Sequence, residues 1–239
     1  MKFIKEGDSK KVIVFLHGWG QDKTAFLWTK NYFSDWCKIY VDFAGFGENP
    51  EPDKVFSLTD YVQSLKKLLD DFEIESLVLV GHSFGGRVAI KFAFLYQDCF
   101  KSFKLCLVDA AGLKPRKSFV KWLKIKRYKR LKRKAEKKVE LRQKLDAYGS
   151  ADYKKLSSKM KQTFVKIVNE DLSHAAKFIK CRTCIVWGKD DTETKLYMAK
   201  RLFKLIKDSE LYIFKNAGHF CYLDKPQEFL IILDTFIKN

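Results

Sequence analysis

The sequence contains no apolar run approaching the roughly 20 residues that a bilayer-spanning helix needs. Its first residues, Met1-Lys2-Phe3-Ile4-Lys5-Glu6, turn polar too early for a secretory signal. A cytoplasmic location is therefore expected. A second cysteine pair at metal spacing is also lacking. Cys181-Arg182-Thr183-Cys184 is a lone C-x-x-C, and the other four cysteines (Cys37, Cys99, Cys106, Cys221) are scattered, so reduced thiols are expected rather than a metal or redox centre. There is no internal repeat. Histidine is scarce, with four in 239 residues, which shortens any search for a general base. Acidic residues are scarce in one place. Residues 112–180 hold 23 of the 47 Lys and Arg but only 6 of the 29 Asp and Glu, so nearly all of the net charge of +18 belongs to that stretch.

What is present reads as a packed α/β protein. Hydrophobic residues make up 46% of the chain, enough for a real core. Short β-branched runs predict strands at Lys11–Leu16, Lys38–Asp42, Leu77–Val80, Leu105–Val108, Thr183–Trp187 and Glu210–Phe214. Amphipathic spacing predicts helices at Thr24–Phe33, Ser57–Phe72, Gly86–Tyr96, Lys195–Ile206 and Pro226–Ile237. Alternation of this kind predicts a mostly parallel central sheet with helices on both faces. It stops at Gly112 and resumes near Cys181. Residues 1–111 and 181–239 thus read as the core, and 112–180 as a basic helical insertion. Phe119, Trp122, Leu123, Leu131, Ala135, Val139 and Leu145 form its candidate apolar stripe, and a second helical piece runs from Tyr153 through Val168.

Gly81-His82-Ser83-Phe84-Gly85 carries the chemistry. It matches G-x-S-x-G and stands between a predicted strand and a predicted helix. A serine on that turn exposes its hydroxyl above the sheet edge, and the helix beginning there directs free N–H groups at the site. A serine hydroxyl needs a base. His17 and His82 sit among glycine turns and His174 in the basic insertion, which leaves His219, on a loop after the last strand. The histidine in turn needs a carboxylate to fix its tautomer. Asp191, Asp190 and Asp109 each follow a strand and compete for that role. His17-Gly18-Trp19-Gly20 follows the first strand, so the N–H groups of Trp19 and Phe84 are the candidate oxyanion donors.

Together these pieces resemble the α/β-hydrolase superfamily over nearly the whole chain, in the order serine, acid, histidine. Asp42-Phe43-Ala44-Gly45-Phe46-Gly47-Glu48-Asn49-Pro50 is similar to the family's D-x-x-G-x-G-x-S stretch, with Asn49 in place of serine. Trp187-Gly188-Lys189-Asp190-Asp191 is similar to W-G-x-x-D, whose last residue is the family acid; this favours Asp191. Lys195 stands where the family often has proline. The resemblance implies that 112–180 is a helical cap over the site. It also implies, because Ser83 is not the aspartate of the epoxide hydrolases and haloalkane dehalogenases, acyl transfer through an acyl-enzyme. A carboxylesterase-like or thioesterase-like hydrolase acting on a small acyl ester or thioester, without metal or organic cofactor, is expected. Amidases and C–C hydrolases of the fold are the alternatives. A ligand-binding or membrane-associated member without catalysis is disfavoured by the intact Ser83, Asp191 and His219.

Residues 116–142 alone hold 14 basic and 2 acidic residues. The simplest reading is a solvated helix face. An anionic membrane surface or an acidic acyl carrier protein would also suit such a segment, whereas no nucleic-acid-binding fold accompanies the charge.

Overall fold

Seven strands form one sheet among the described residues: β1 (Phe3–Glu6), β2 (Lys11–Leu16), β3 (Cys37–Val41), β4 (Ser76–His82), β5 (Ser102–Val108), β6 (Thr183–Gly188) and β7 (Ser209–Phe214). The structure, a computed structural model, describes residues 1–115, 130 and 156–239. The strand order is β1-β3-β2-β4-β5-β6-β7. Only β1 runs antiparallel, with Phe3 opposite Val41; every other pairing is parallel. Strands β2 to β6 are covered on both faces, which is why they read as continuous apolar runs and not as alternating ones.

The helices are α1 (Leu58–Leu69), α2 (Phe84–Tyr96), α3 (Ser158–Val168), α4 (Ser173–Lys177), α5 (Leu196–Leu205), α6 (Cys221–Asp224) and α7 (Pro226–Lys238). On one sheet face, Ile13, Phe15, Tyr40, Val78, Val80, Cys184 and Val186 pack with Phe26 and with Phe229, Leu233 and Phe236 of α7. The opposite face takes α2 against β4 and β5, with α1 beside α2 and α5 over β6 and β7. Helix α1 begins where Ser57 and Asp60 cap each other: Ser57 N–H donates to Asp60 Oδ2 at 2.7 Å, and Asp60 N–H to Ser57 Oγ at 3.3 Å. It buries Leu58, Tyr61, Val62, Leu65 and Leu69, a helical stripe.

The mostly parallel, doubly covered sheet is as expected; one strand is additional and one helix differs. Edge strand β1 was not anticipated, because four residues of alternating exposure give little signal until β3 lies beside them. The expected helix Thr24–Phe33 is a 3₁₀ helix over Lys23–Thr29, capped by Asp22, whose carboxylate accepts the Thr24 N–H. The chain divides into two compact units, Met1–Lys114 with Thr163–Asn239, and Pro115–Gln162. The candidate apolar stripe from Phe119 to Leu145 lies outside the described residues. No described helix is long and apolar enough to cross a membrane. The loops after β2, β4, β5, β6 and β7 all leave the same, carboxyl end of the sheet, where open α/β folds place their sites.

Candidate active site

Strand β4 ends at His82 and α2 begins at Phe84, so Ser83 alone makes the turn. Its φ of 49° is left-handed, a strained conformation for a residue with a side chain. The surroundings enforce it. Ser83 N–H donates to Val108 O (3.1 Å), and Ser83 O accepts from Arg87 N–H (3.2 Å) and Ala111 N–H (2.9 Å). Two glycines permit the close approach. A Cβ on Gly81 would lie 2.6 Å from Gly85 O, and one on Gly85 would collide with the Leu16 carbonyl.

The Ser83 hydroxyl lies 3.0 Å from His219 Nε2, and His219 Nδ1 lies 2.9 Å from Asp191 Oδ2. Asp191 is buried and fully engaged. Its Oδ1 accepts from the N–H groups of Glu193 (2.7 Å) and Thr194 (2.9 Å), and its Oδ2 also accepts the Thr194 hydroxyl at 2.6 Å. With Asp191 accepting from Nδ1–H, the lone pair of Nε2 faces the Ser83 hydroxyl. Burial opposes charging of His219, but the hydrogen bond and charge of Asp191, joined by Glu193 and Asp109, outweigh it and hold its pKa above the ordinary value. Burial likewise favours neutral Asp191, yet its bonds to His219 and Thr194 keep its pKa below the usual carboxylate value.

The other two candidate acids lie elsewhere. Asp190 is exposed, with its N–H donating to Ala217 O. Asp109 is wholly buried. Its carboxylate accepts from Gly188 N–H (2.8 Å) and Cys221 N–H (3.1 Å), and its carbonyl oxygen lies 2.9 Å from the Thr194 hydroxyl oxygen. Asp109 therefore fastens the acid turn and the histidine loop to the end of β5. Burial pushes its pKa up to about 7.

The remaining histidines are otherwise occupied. His17 donates from Nδ1 to Gly18 O (2.7 Å) and accepts Phe43 N–H at Nε2 (3.1 Å); burial lowers its pKa to about 4. His82 donates from Nε2 to His219 O at 2.7 Å, and burial lowers its pKa to about 3. His174 is exposed between Phe94 and Phe178. Gln21, which sequence reasoning missed, accepts Gly18 N–H (2.9 Å) and lies 3.0 Å from His82 Nδ1. Its Nε2 donates to the Tyr222 hydroxyl at 3.2 Å, which ties the turn after β2 to α6.

No hydrogen bond among the described residues uses the N–H of Trp19 or Phe84. Phe84 opens α2, so its N–H has no intrahelical acceptor. The Trp19 ring packs on Phe46 (4.8 Å), Phe164 (5.0 Å) and Phe84 (5.3 Å), an aromatic wall beside the turn. Asp42 anchors the following loop through Lys23 N–H (2.7 Å), Lys23 Nζ (2.8 Å) and Glu48 N–H (2.9 Å). Asn49 Nδ2 donates to Asp42 O, so the amide closes the loop in its own way. Among the described residues, no three His, Cys, Asp or Glu converge as metal ligands. Cys184 is buried and Cys181 partly so, with burial raising the Cys181 pKa to about 12.

The alpha/beta hydrolase family model matches residues 13–230. The chain belongs to the alpha/beta hydrolase family. This alpha/beta hydrolase is 25% identical to the AB hydrolase superfamily protein YisY of Bacillus subtilis, over 99% of this chain and 95% of that one. It is 24% identical to 2-hydroxy-6-oxo-2,4-heptadienoate hydrolase of Pseudomonas putida, over 94% and 88%. Among solved structures, an esterase from Exiguobacterium antarcticum superposes with a TM-score of 0.75 at 21% identity, covering 99% of this chain and 95% of the other. A meta-cleavage product hydrolase from Pseudomonas fluorescens gives 0.72 at 19%, covering 99% and 93%. At these identities the structures establish the shared fold.

Proposed function

We propose that this alpha/beta hydrolase is a serine hydrolase that cleaves a carboxylic ester or thioester through an acyl-enzyme. The observation that carries the reading is the unbroken line Ser83 Oγ, His219, Asp191, with links of 3.0 and 2.9 Å. His219 Nε2 takes the Ser83 proton as Oγ bonds to the carbonyl carbon. The N–H groups of Trp19 and Phe84 receive the oxyanion. The imidazolium, held by Asp191, passes its proton to the leaving oxygen or sulfur as that bond breaks. Water then gives a proton to His219 and its oxygen to the acyl carbon, releasing the acid and restoring Ser83. The chain supplies nucleophile, base and oxyanion donors, so the chemistry calls for no cofactor. The aromatic wall of Trp19, Phe46 and Phe164 suits an apolar acyl group.

The test is turnover of p-nitrophenyl esters of graded chain length by the wild type and Ser83→Ala. Turnover that is lost in the variant supports the reading; equal turnover by the variant refutes it. Cleavage of a carbon–carbon bond is the second reading, favoured by the likeness to the heptadienoate hydrolase. A vinylogous diketone hydrolysed faster than any ester would favour it. The 14 basic residues within 116–142 further suit an acidic partner, an anionic membrane surface or an acidic acyl carrier protein.

A further inference from the structure

His219 has a second carboxylate beside it that the triad does not use. Glu193 Oε2 lies 3.4 Å from His219 Nε2, the same nitrogen that faces Ser83. The Glu193 backbone is fixed, since its N–H donates to Asp191 Oδ1 at 2.7 Å. Its side chain is 67% exposed and extends over the histidine from the solvent side. The charges acting most strongly on His219 are all carboxylates: Asp191, Glu193 and Asp109. Asp191 and Asp109 are buried and engaged by donors, and His82 on the neighbouring turn is buried and neutral. Glu193 is the one of these that is open to solvent.

Nε2 is the atom that hands the proton to the leaving group. Whatever departs from the acyl carbon must therefore pass within a few ångströms of the Glu193 carboxylate. We infer that Glu193 is a specificity-determining residue, disfavouring leaving groups that carry a negative charge and favouring those that carry a positive one. The inference rests on the acyl-transfer reading and narrows its substrate class to neutral or cationic leaving groups. Discrimination of this kind comes from repulsion of the wrong partner as much as from attraction of the right one. At about 5 Å in a largely aqueous setting, one charge pair changes a rate by roughly three- to tenfold, and salt weakens it.

The experiment uses three thioesters of one apolar carboxylic acid. Their leaving thiols match in size but are neutral, quaternary ammonium or carboxylate. kcat/KM for thiol release is measured for the wild type and Ser83→Ala and divided by each thioester's rate with hydroxide. In this step an O–C bond forms between Ser83 and the acyl carbon, the C–S bond breaks, and the Ser83 proton passes through His219 to the departing thiol. The expected order is cation, neutral, anion, with roughly three- to tenfold between steps at low salt. Glu193→Gln is expected to bring the three rates within about twofold, and Glu193→Lys to invert the order. The acidic limb of the neutral reagent's pH profile also moves down in Glu193→Gln, because the imidazolium loses a nearby anion; a purely structural side chain would leave it in place. If thiol release depends on Ser83 but the order is the same in Glu193→Gln, the inference fails alone. If none of the three thioesters is cleaved faster by the wild type than by Ser83→Ala, the acyl-transfer reading fails and the inference with it.

Discussion

Replacing Asp191 by asparagine is the most discriminating perturbation of the triad, because the structure dictates where the new amide goes. Asp191 Oδ1 faces two backbone donors, the N–H groups of Glu193 and Thr194. An NH₂ there would meet two N–H groups that cannot turn away, so the asparagine oxygen must stay at Oδ1. The NH₂ then occupies the Oδ2 position, facing His219 Nδ1 and the Thr194 hydroxyl. The hydroxyl can rotate to accept. The imidazole can accept only by moving its proton to Nε2, and Nε2–H facing Ser83 can no longer take the serine proton. The expected loss in kcat/KM is on the order of 10³–10⁴-fold, or about 4–5.5 kcal/mol of barrier. Stability should change by only about 1 kcal/mol, because both backbone bonds survive. The assay is p-nitrophenyl ester turnover beside urea unfolding, with exposed Asp190→Asn as the control that stays within about twofold. A folded Asp191→Asn enzyme keeping more than about a tenth of wild-type kcat/KM would refute the tautomer argument.

Other consequences are testable separately. Gly85→Ala drives a Cβ into the Leu16 carbonyl, between β2 and α2. A loss of about 3 kcal/mol or more in urea unfolding is expected, and wild-type stability would contradict the packing. Asp109 has its folded pKa raised from 3.8 to about 7. Between those values the folded state keeps a proton that the unfolded state has released, so this group's contribution to stability falls as pH rises. The decline is on the order of 4 kcal/mol from about pH 4 to about pH 8. Unfolding of Asp109→Asn across that range should lack this component; an unchanged slope would show that Asp109 ionises freely. For the basic segment, sedimentation with anionic but not neutral vesicles, abolished at high salt, is expected of a membrane partner. Equal recovery with both vesicle types would rule out an electrostatic contact.

The sheet and the serine turn were legible because they depend on local pattern. Buried parallel strands announce themselves as apolar runs, and the turn of Gly81 to Gly85 needs small residues at fixed places. His219 followed by elimination from four histidines. Choosing the acid was harder, since Asp109, Asp190 and Asp191 all follow strands and differ only in where their side chains point. The fold separates them: Asp190 faces solvent, Asp109 turns to Gly188 and Cys221, and Asp191 meets His219. Gln21, Thr194 and Glu193 left no signal, because their partners lie 61, 25 and 26 residues away or depend on turn geometry. The acid–base pairing itself spans 28 residues, a separation no local window contains.

The proposed chemistry requires Ser83 to be a nucleophile activated by His219. Its most direct test is peptide mapping after brief exposure to a fluorophosphonate. A single adduct on Ser83 is predicted in the wild type, absent in Ser83→Ala and strongly slowed in His219→Ala. An adduct on another residue, or undiminished labelling of Ser83 in His219→Ala, would contradict it.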